Sequence, residues 1–295
     1  MTDAPTPDAA SASAPAPTPA SASASASASA PSLLVERVDA TVVLTMHRPE
    51  RRNALSLDLL VRLADAWDAI EADPSVRSAI LTGAGDHYCV GGDLSAGWMA
   101  GGRATEPTEP ERRAQADPAL IARGLLLLHH LRVPVIAAVN GDCMGGGCEM
   151  LQQTDIRIAE EHARFGVPEV HRGLIAGAGS TMRLKRQIPY AVAMEMLLTG
   201  RILDAEEALR WGLVTHVVPR GEGRARALEI AERIAAAAPL SVAETKASAI
   251  ETGWLPEPEA RPIEAAHTER VTRSQDAQEG MRAFVEKRPP RWTGA

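Results

Sequence analysis

The segment "PVIAAVNGDCMGGGCEM", residues 134–150, sets the reading of the chain. An apolar run fit for a buried strand passes into three consecutive glycines, Gly145 to Gly147, and then a carboxylate, Glu149. Ordering glycine costs more backbone entropy than ordering any other residue, so three in a row need a physical reason. A sharp strand-to-helix turn supplies one. The first amides of a helix have no internal partner and carry the positive end of its dipole. Glycines leave those N–H groups unshielded, so a foreign oxygen can approach them. Gly146 thus becomes a candidate donor of an oxyanion hole. Glu149, one helical turn on, addresses the same space. Taken alone, the stretch also fits a tightly packed turn with a dipole-complementing glutamate.

A second glycine turn follows the apolar strand "SAILTG" (78–83). In "CVGGDLSAGW" (89–98), Gly92 offers another unshielded amide and Asp93 an N-cap for a short helix. A third element is "FGVPEV" (165–170), where Pro168 suits a first helical turn and Glu169 follows it. One strand, "DIRIAEE", separates Glu149 from Glu169, and a helix–strand–helix excursion of that length can return the chain to its starting neighbourhood. Two carboxylates beside two amide donors can hold a carbonyl as an enolate, activate water and move a proton on the adjacent carbon. Each element singly also fits an ordinary turn or cap.

Outward from this centre, strands and helices alternate and then helices take over. Residues 32–49 predict two strands turning at Asp39–Ala40. Leu59, Leu60, Leu63, Trp67 and Ile70 then recur at helical spacing behind Ser56 as N-cap. The stretch 95–118 is Gly-, Pro- and charge-rich and predicts a loop; a helix is expected over 119–131. Helices are predicted at 190–199, 204–211, 223–237 and 241–252, with a final one over 258–287. The pattern is α/β layers with a helical C-terminal part. Neither "GAGDHY" nor "GAGSTM" completes a dinucleotide-binding glycine pattern, and no glycine run carries a P-loop lysine.

Composition bounds the function. Residues 1–31 are almost entirely Ala, Ser, Pro and Thr and predict a disordered tail. The tail lacks the basic start and apolar run of a secretory signal and the arginines of a transit peptide. A net charge of −7 with 3% aromatic residues argues against nucleic acid. No apolar run approaches the ~20 residues that span a bilayer. Cys89, Cys143 and Cys148 have no zinc spacing, and an odd count suits a reducing cytoplasm.

Six stretches in order carry a family resemblance: "HRPERRNALS", "LTGAGDHYCVGGDL", "AAVNGDCMGGGCEM", "FGVPEVHRGLIAGAGSTMRL", "LLTGRILDAEEALRWGLVTHVVP" and "EGMRAFVEKR". Together they resemble the enoyl-CoA hydratase (crotonase) superfamily over about residues 33–291. The resemblance implies an α/β spiral of ββα units over 32–220 and a helical trimerisation segment over 221–295. It implies that the amides of Gly92 and Gly146 grip the thioester oxygen. In its hydratase branch the residue matching Glu149 activates water for attack at Cβ, and the one matching Glu169 transfers the Cα proton. Phe284 and Lys287 match residues that touch the adenine and phosphates of coenzyme A, often from a neighbouring subunit. The implied reaction adds water to a trans-2-enoyl-CoA, giving a 3-hydroxyacyl-CoA, in a homotrimer or dimer of trimers. It needs no metal, and coenzyme A belongs to the substrate rather than acting as a cofactor. The same scaffold also hosts enoyl-CoA isomerases, dehydratases and acyl-CoA-binding subunits without activity.

There are departures. Ser95 stands where many hydratases have a lysine that helps hold the coenzyme A phosphates; Arg51 and Arg52 are candidates to compensate, or are a solvated turn. The 95–118 stretch is longer than in short-chain hydratases, with Trp98 and Met99 as candidate lining of the acyl pocket.

Overall fold

The computed structural model describes residues 30–96, 106–127 and 130–295. Trp98, Met99 and nearly all of the predicted tail lie outside them.

The chain opens with an antiparallel hairpin, β1 (Leu33–Val38) and β2 (Thr41–Met46). Asp39 makes the turn at φ 50, a left-handed conformation that aspartate tolerates better than most residues. Helix α1 (Leu57–Ala72) starts where Ser56 accepts the Leu59 amide, and Leu59, Leu60, Leu63, Trp67 and Ile70 are buried along one stripe.

The chain then winds as a spiral. Strand β3 (Ser78–Gly83) is followed after three residues by β4 (His87–Cys89). Helices α2 (Glu109–Ala116) and α3 (Ala119–Gly124) intervene. Next come β5 (Val135–Val139), β6 (Asp142–Met144) and the short α4 (Gly146–Leu151), then β7 (Ile156–Glu160) and β8 (Arg164–Gly166). The first strand of each pair enters one sheet and the second enters another. β3, β5 and β7 lie parallel in a six-stranded sheet, and β4, β6 and β8 lie parallel in a four-stranded one. Each circuit therefore advances the chain by one position in both sheets. The links are too short for a crossover to a parallel neighbour in the same sheet, so the second strand of each pair turns into the other sheet.

Helices α5 (Ser180–Gln187) and α6 (Tyr190–Thr199) lead to β9 (Ile202–Asp204), which closes the smaller sheet. Helix α7 (Ala205–Arg210) carries a capping box between Asp204 and Glu207, and β10 (His216–Val218) pairs with β7. Helix α8 (Gly223–Ala235) packs on β3, β5 and β7, where Ala227, Ile230 and Ala231 cover Val43, Ile80, Ile136 and Ile158. The opposite sheet face, with Leu44, Leu81 and Ala137, joins the main core around Trp67, Phe165 and Leu184. Parallel strands buried on both faces read as continuous apolar runs, which is why "VIAAV" was legible. Helices α9 (Pro239–Thr252), α10 (Glu257–Thr272) and α11 (Gln275–Glu286) complete the chain. No helix among the described residues is long and apolar enough to cross a membrane.

Three expectations are corrected. The predicted loop 95–118 contains α2, started by a Thr108–Glu111 capping box with Pro110 in its first turn. The helix expected to reach residue 131 stops at Gly124, beyond which Leu126 takes φ 57. A Cβ on Gly124 would lie 2.3 Å from the Leu60 carbonyl oxygen, so α3 meets α1 backbone to backbone. The single helix expected over 258–287 breaks before Ser274, whose hydroxyl accepts the Ala277 amide and starts α11 afresh.

Candidate active site

The two glycine turns meet. Leu55 and Gly92 form a parallel bridge: the Leu55 amide donates to Gly91 at 2.8 Å, and Asp93 donates back to Leu55 at 2.9 Å. This pins Gly92 against the start of α4. A Cβ on Gly91 would lie 3.1 Å from the Gly146 nitrogen, and one on Gly146 would lie 3.7 Å from the Gly92 nitrogen. Among the described residues neither the Gly92 nor the Gly146 amide has an acceptor. Two free donors from separate loops thus sit side by side.

The three glycines have three distinct reasons. Gly145, the N-cap of α4, takes φ 52 and ψ −130, a conformation closed to residues with a side chain. Gly146 presents its amide, and a Cβ there would press on Leu55 Cδ1 at 3.0 Å. Gly147 lies so close to β4 that a Cβ would stand 2.3 Å from the Cys89 carbonyl oxygen.

Glu149 is 5% exposed. Its Oε1 accepts the Ala178 amide at 2.7 Å, and the nearby Ser180 amide also favours the ionised carboxylate. Burial, then the charge of Glu169, pushes its pKa up to about 7, with the two amides pulling the other way. Glu169 sits on a 3-10 turn, Pro168–Arg172, entered through Pro168. Its Oε1 would be 3.0 Å from a Cβ on Gly145, so the second carboxylate abuts the turn that starts α4. Burial raises its pKa as well, and its Oε2 is buried without a hydrogen-bond partner. A buried carboxylate oxygen with no donor is costly and is what a proton-transfer group awaiting its substrate would show.

The structure thus gathers Glu149, Glu169, Gly92 and Gly146. Other expected residues stand elsewhere. Arg51 donates to Asp93 at 3.0 Å and to the Ser95 hydroxyl, which ties it to the loop after Gly92 instead of leaving it free. Arg52 is exposed at φ 51. Phe284, near the end of α11, is 86% exposed, and Lys287 caps that helix at φ 54. The sequence reading missed the Ala178 amide, although the glycine spacing in "IAGAGS" (175–180) hinted at exposed backbone. It also missed Asp93 as the acceptor of both Arg48, at 2.9 Å, and Arg51. Burial alone would raise the Asp93 pKa, but hydrogen bonds from Ser95 and Arg48 with both guanidinium charges hold it at about 2.

A two-sheet spiral that sets two free amides beside two carboxylates defines a scaffold for polarising a carbonyl and moving a proton next to it. The chain belongs to the enoyl-CoA hydratase/isomerase family, whose model matches residues 36–295. Enoyl-CoA hydratase EchA19 of Mycobacterium tuberculosis is 44% identical over 260 residues, covering 88% of this chain and 96% of that protein. The (E)-benzylidenesuccinyl-CoA hydratase of Thauera aromatica is 38% identical over 254 residues, covering 85% and 94%. Among solved structures, an enoyl-CoA hydratase from Mycobacterium tuberculosis superposes with a TM-score of 0.79 at 37% identity, covering 90% of this chain and all of that one. The spiral is the crotonase fold, and the family is one of enzymes.

Proposed function

We propose that this enzyme hydrates a trans-2-enoyl-CoA to a 3-hydroxyacyl-CoA. The observation that carries the reading is the pair Glu149 and Glu169, both with raised proton affinity, flanking the turn whose amide at Gly146 is free. The thioester oxygen accepts N–H groups from Gly92 and Gly146. Ionised Glu149 takes a proton from water as the water oxygen bonds to Cβ. The π electrons move through Cα to the carbonyl oxygen, and the two amides stabilise the resulting enolate. Protonated Glu169 then gives its proton to Cα and the carbonyl reforms. One oxyanion donor is worth about 2.7–4 kcal/mol in such a transition state. The reaction uses no metal and no cofactor.

Phe284 and Lys287 serve the nucleotide end of coenzyme A bound to a neighbouring subunit of a homotrimer or dimer of trimers. Their exposure supports this. So does the C-terminal surface around them, where Met281 and Val285 are also exposed. Arg52 is a second candidate for phosphate contact. Three free cysteines fit the cytoplasm.

The test is the loss of conjugated enoyl-thioester absorbance across a panel from crotonyl-CoA to long-chain and branched enoyl-CoAs, with products weighed by mass spectrometry. A gain of one water on any member supports the reading. Double-bond migration without added water, or no turnover of any thioester, overturns it.

A further inference from the structure

Helix α11 buries only Asp276 and Ala283 of its own residues, so its own packing leaves it weakly anchored. The chain beyond it compensates. Residues 291–295 fold back along the helix and are clamped to it at both ends. Asp276 accepts the Thr293 amide at 2.7 Å, the Thr293 hydroxyl at 2.9 Å and the Gly294 amide at 2.9 Å. Glu279 accepts the Arg291 amide at 2.9 Å and the two terminal guanidinium nitrogens of Arg288, at 2.6 and 3.0 Å. Between helix and returning segment lies a 460 Å³ cavity lined by Glu279, Arg282, Arg288 and Arg291, so apolar packing does not fill the space between them.

Trp292 ties the bracket to the body of the protein. Trp292 lays its ring against Gly280, where a Cβ would lie 3.3 Å from the indole. Its Nε1 donates to the Ala236 carbonyl at 2.8 Å, at the end of α8. The adjacent Ala237 carbonyl accepts from Arg77, which leads into β3 and whose charge also acts on Asp276.

We infer that Trp292 and Asp276 are positioning residues for thioester binding: the segment 291–294 latches α11 to the α8 terminus and so sets where Phe284 and Lys287 stand. The inference rests on the proposed role of those two residues at the nucleotide end of coenzyme A. It assigns the latch to binding of the nucleotide and not to chemistry at the glutamates.

The experiment compares one enoyl group carried on coenzyme A and on N-acetylcysteamine, which has the thioester but no nucleotide. Trp292→Ala should raise KM for the coenzyme A thioester about tenfold, leave kcat within about twofold, and leave the N-acetylcysteamine thioester's kcat/KM unchanged. Trp292→Phe, which keeps a ring on Gly280 but cannot donate to Ala236, should show the same split more weakly, as should Asp276→Asn. Together they keep the test open if Trp292→Ala folds poorly. An unchanged KM in all three variants overturns the latch, and so does an equal loss on both thioesters, the mark of general destabilisation. If the wild-type enzyme itself gains nothing from the nucleotide, the inference falls with the role of Phe284 and Lys287. If it hydrates neither thioester, the proposed reaction is what has failed.

Discussion

The Ala178 amide donates to Glu149 across 2.7 Å, joining the helix that begins at the triple glycine to a loop that is remote in the chain. That bond holds down the proton affinity that burial raises. The amides of Ala178 and Ser180 favour its ionised form, while burial and the neighbouring Glu169 favour the proton, and the balance falls at about 7. A base with that affinity is poised for proton transfer near neutral pH.

Glu149→Gln and Glu169→Gln should each lower kcat by about 10²–10⁴-fold, the usual range for a general acid or base, with circular dichroism unchanged. Near-normal hydration by either variant would remove that carboxylate from the mechanism.

The pH profile of kcat/KM should fall through an apparent pKa near 7, where the pair Glu149 and Glu169 gives up the one proton that the mechanism delivers to Cα. Replacing Glu169 with Gln removes the repulsion but not the burial. The residual activity of that variant should then titrate at lower pH. A limb that stays in place or moves upward would show that the two carboxylates are not coupled.

Stability should follow the same titration. The folded-state pKa of Glu149 lies above its ordinary 4.5, so the folded protein holds a proton that the unfolded chain has lost between those values. Stability therefore falls as pH rises from about 4.5 to about 7. Glu149→Gln avoids this loss and should be more stable at pH 8 by up to about 3 kcal/mol, with no gain near pH 4.5. Urea unfolding at the two pH values measures the difference, and a variant less stable at pH 8 would contradict it.

Gly146→Ala and Gly147→Ala should separate rate from fold. The new methyl at 146 meets the mobile end of Leu55 and stands over the Gly92 amide, so it should cost turnover about 10²–10³-fold at little cost in melting temperature. At 147 the methyl meets backbone at 2.3 Å, α4 must shift from β4, and the melting temperature should fall markedly. Paired thermal melts and initial rates decide; the reverse pattern would contradict the assignment of the two glycines.

Asp93→Asn should leave Arg48, 18% exposed, without its charge partner and cost about 3 kcal/mol in unfolding. Because Asp93 titrates in the folded state at about 2, below its ordinary 3.8, its contribution is full above 3.8 and is lost only as pH falls toward 2. The difference between variant and wild type should therefore be constant from about pH 7 to about pH 5. A difference that shrinks within that range would mean the pair does not hold Asp93 as the structure shows.

Much of the molecule was readable one residue at a time. The apolar runs of β3 and β5, the Ser56 and Asp204 caps, the turn at Asp39 and the free amide at Gly146 all arise from local backbone demands, which a sequence states directly. What it could not state was which distant groups meet. The end of α3 at Gly124 is set by the Leu60 carbonyl, and Arg51 meets Asp93 in a loop 42 residues on. Ala178 reaches Glu149 only because the spiral returns the chain past α4. Local conformation depends on neighbours within a few residues, so the sequence could state most of the strands, caps and turns and nominate Glu149, Glu169, Gly92 and Gly146 as the candidate site. The hydrogen bonds and repulsions that tune its chemistry depend on closure of the two sheets, and only the tertiary structure decided them.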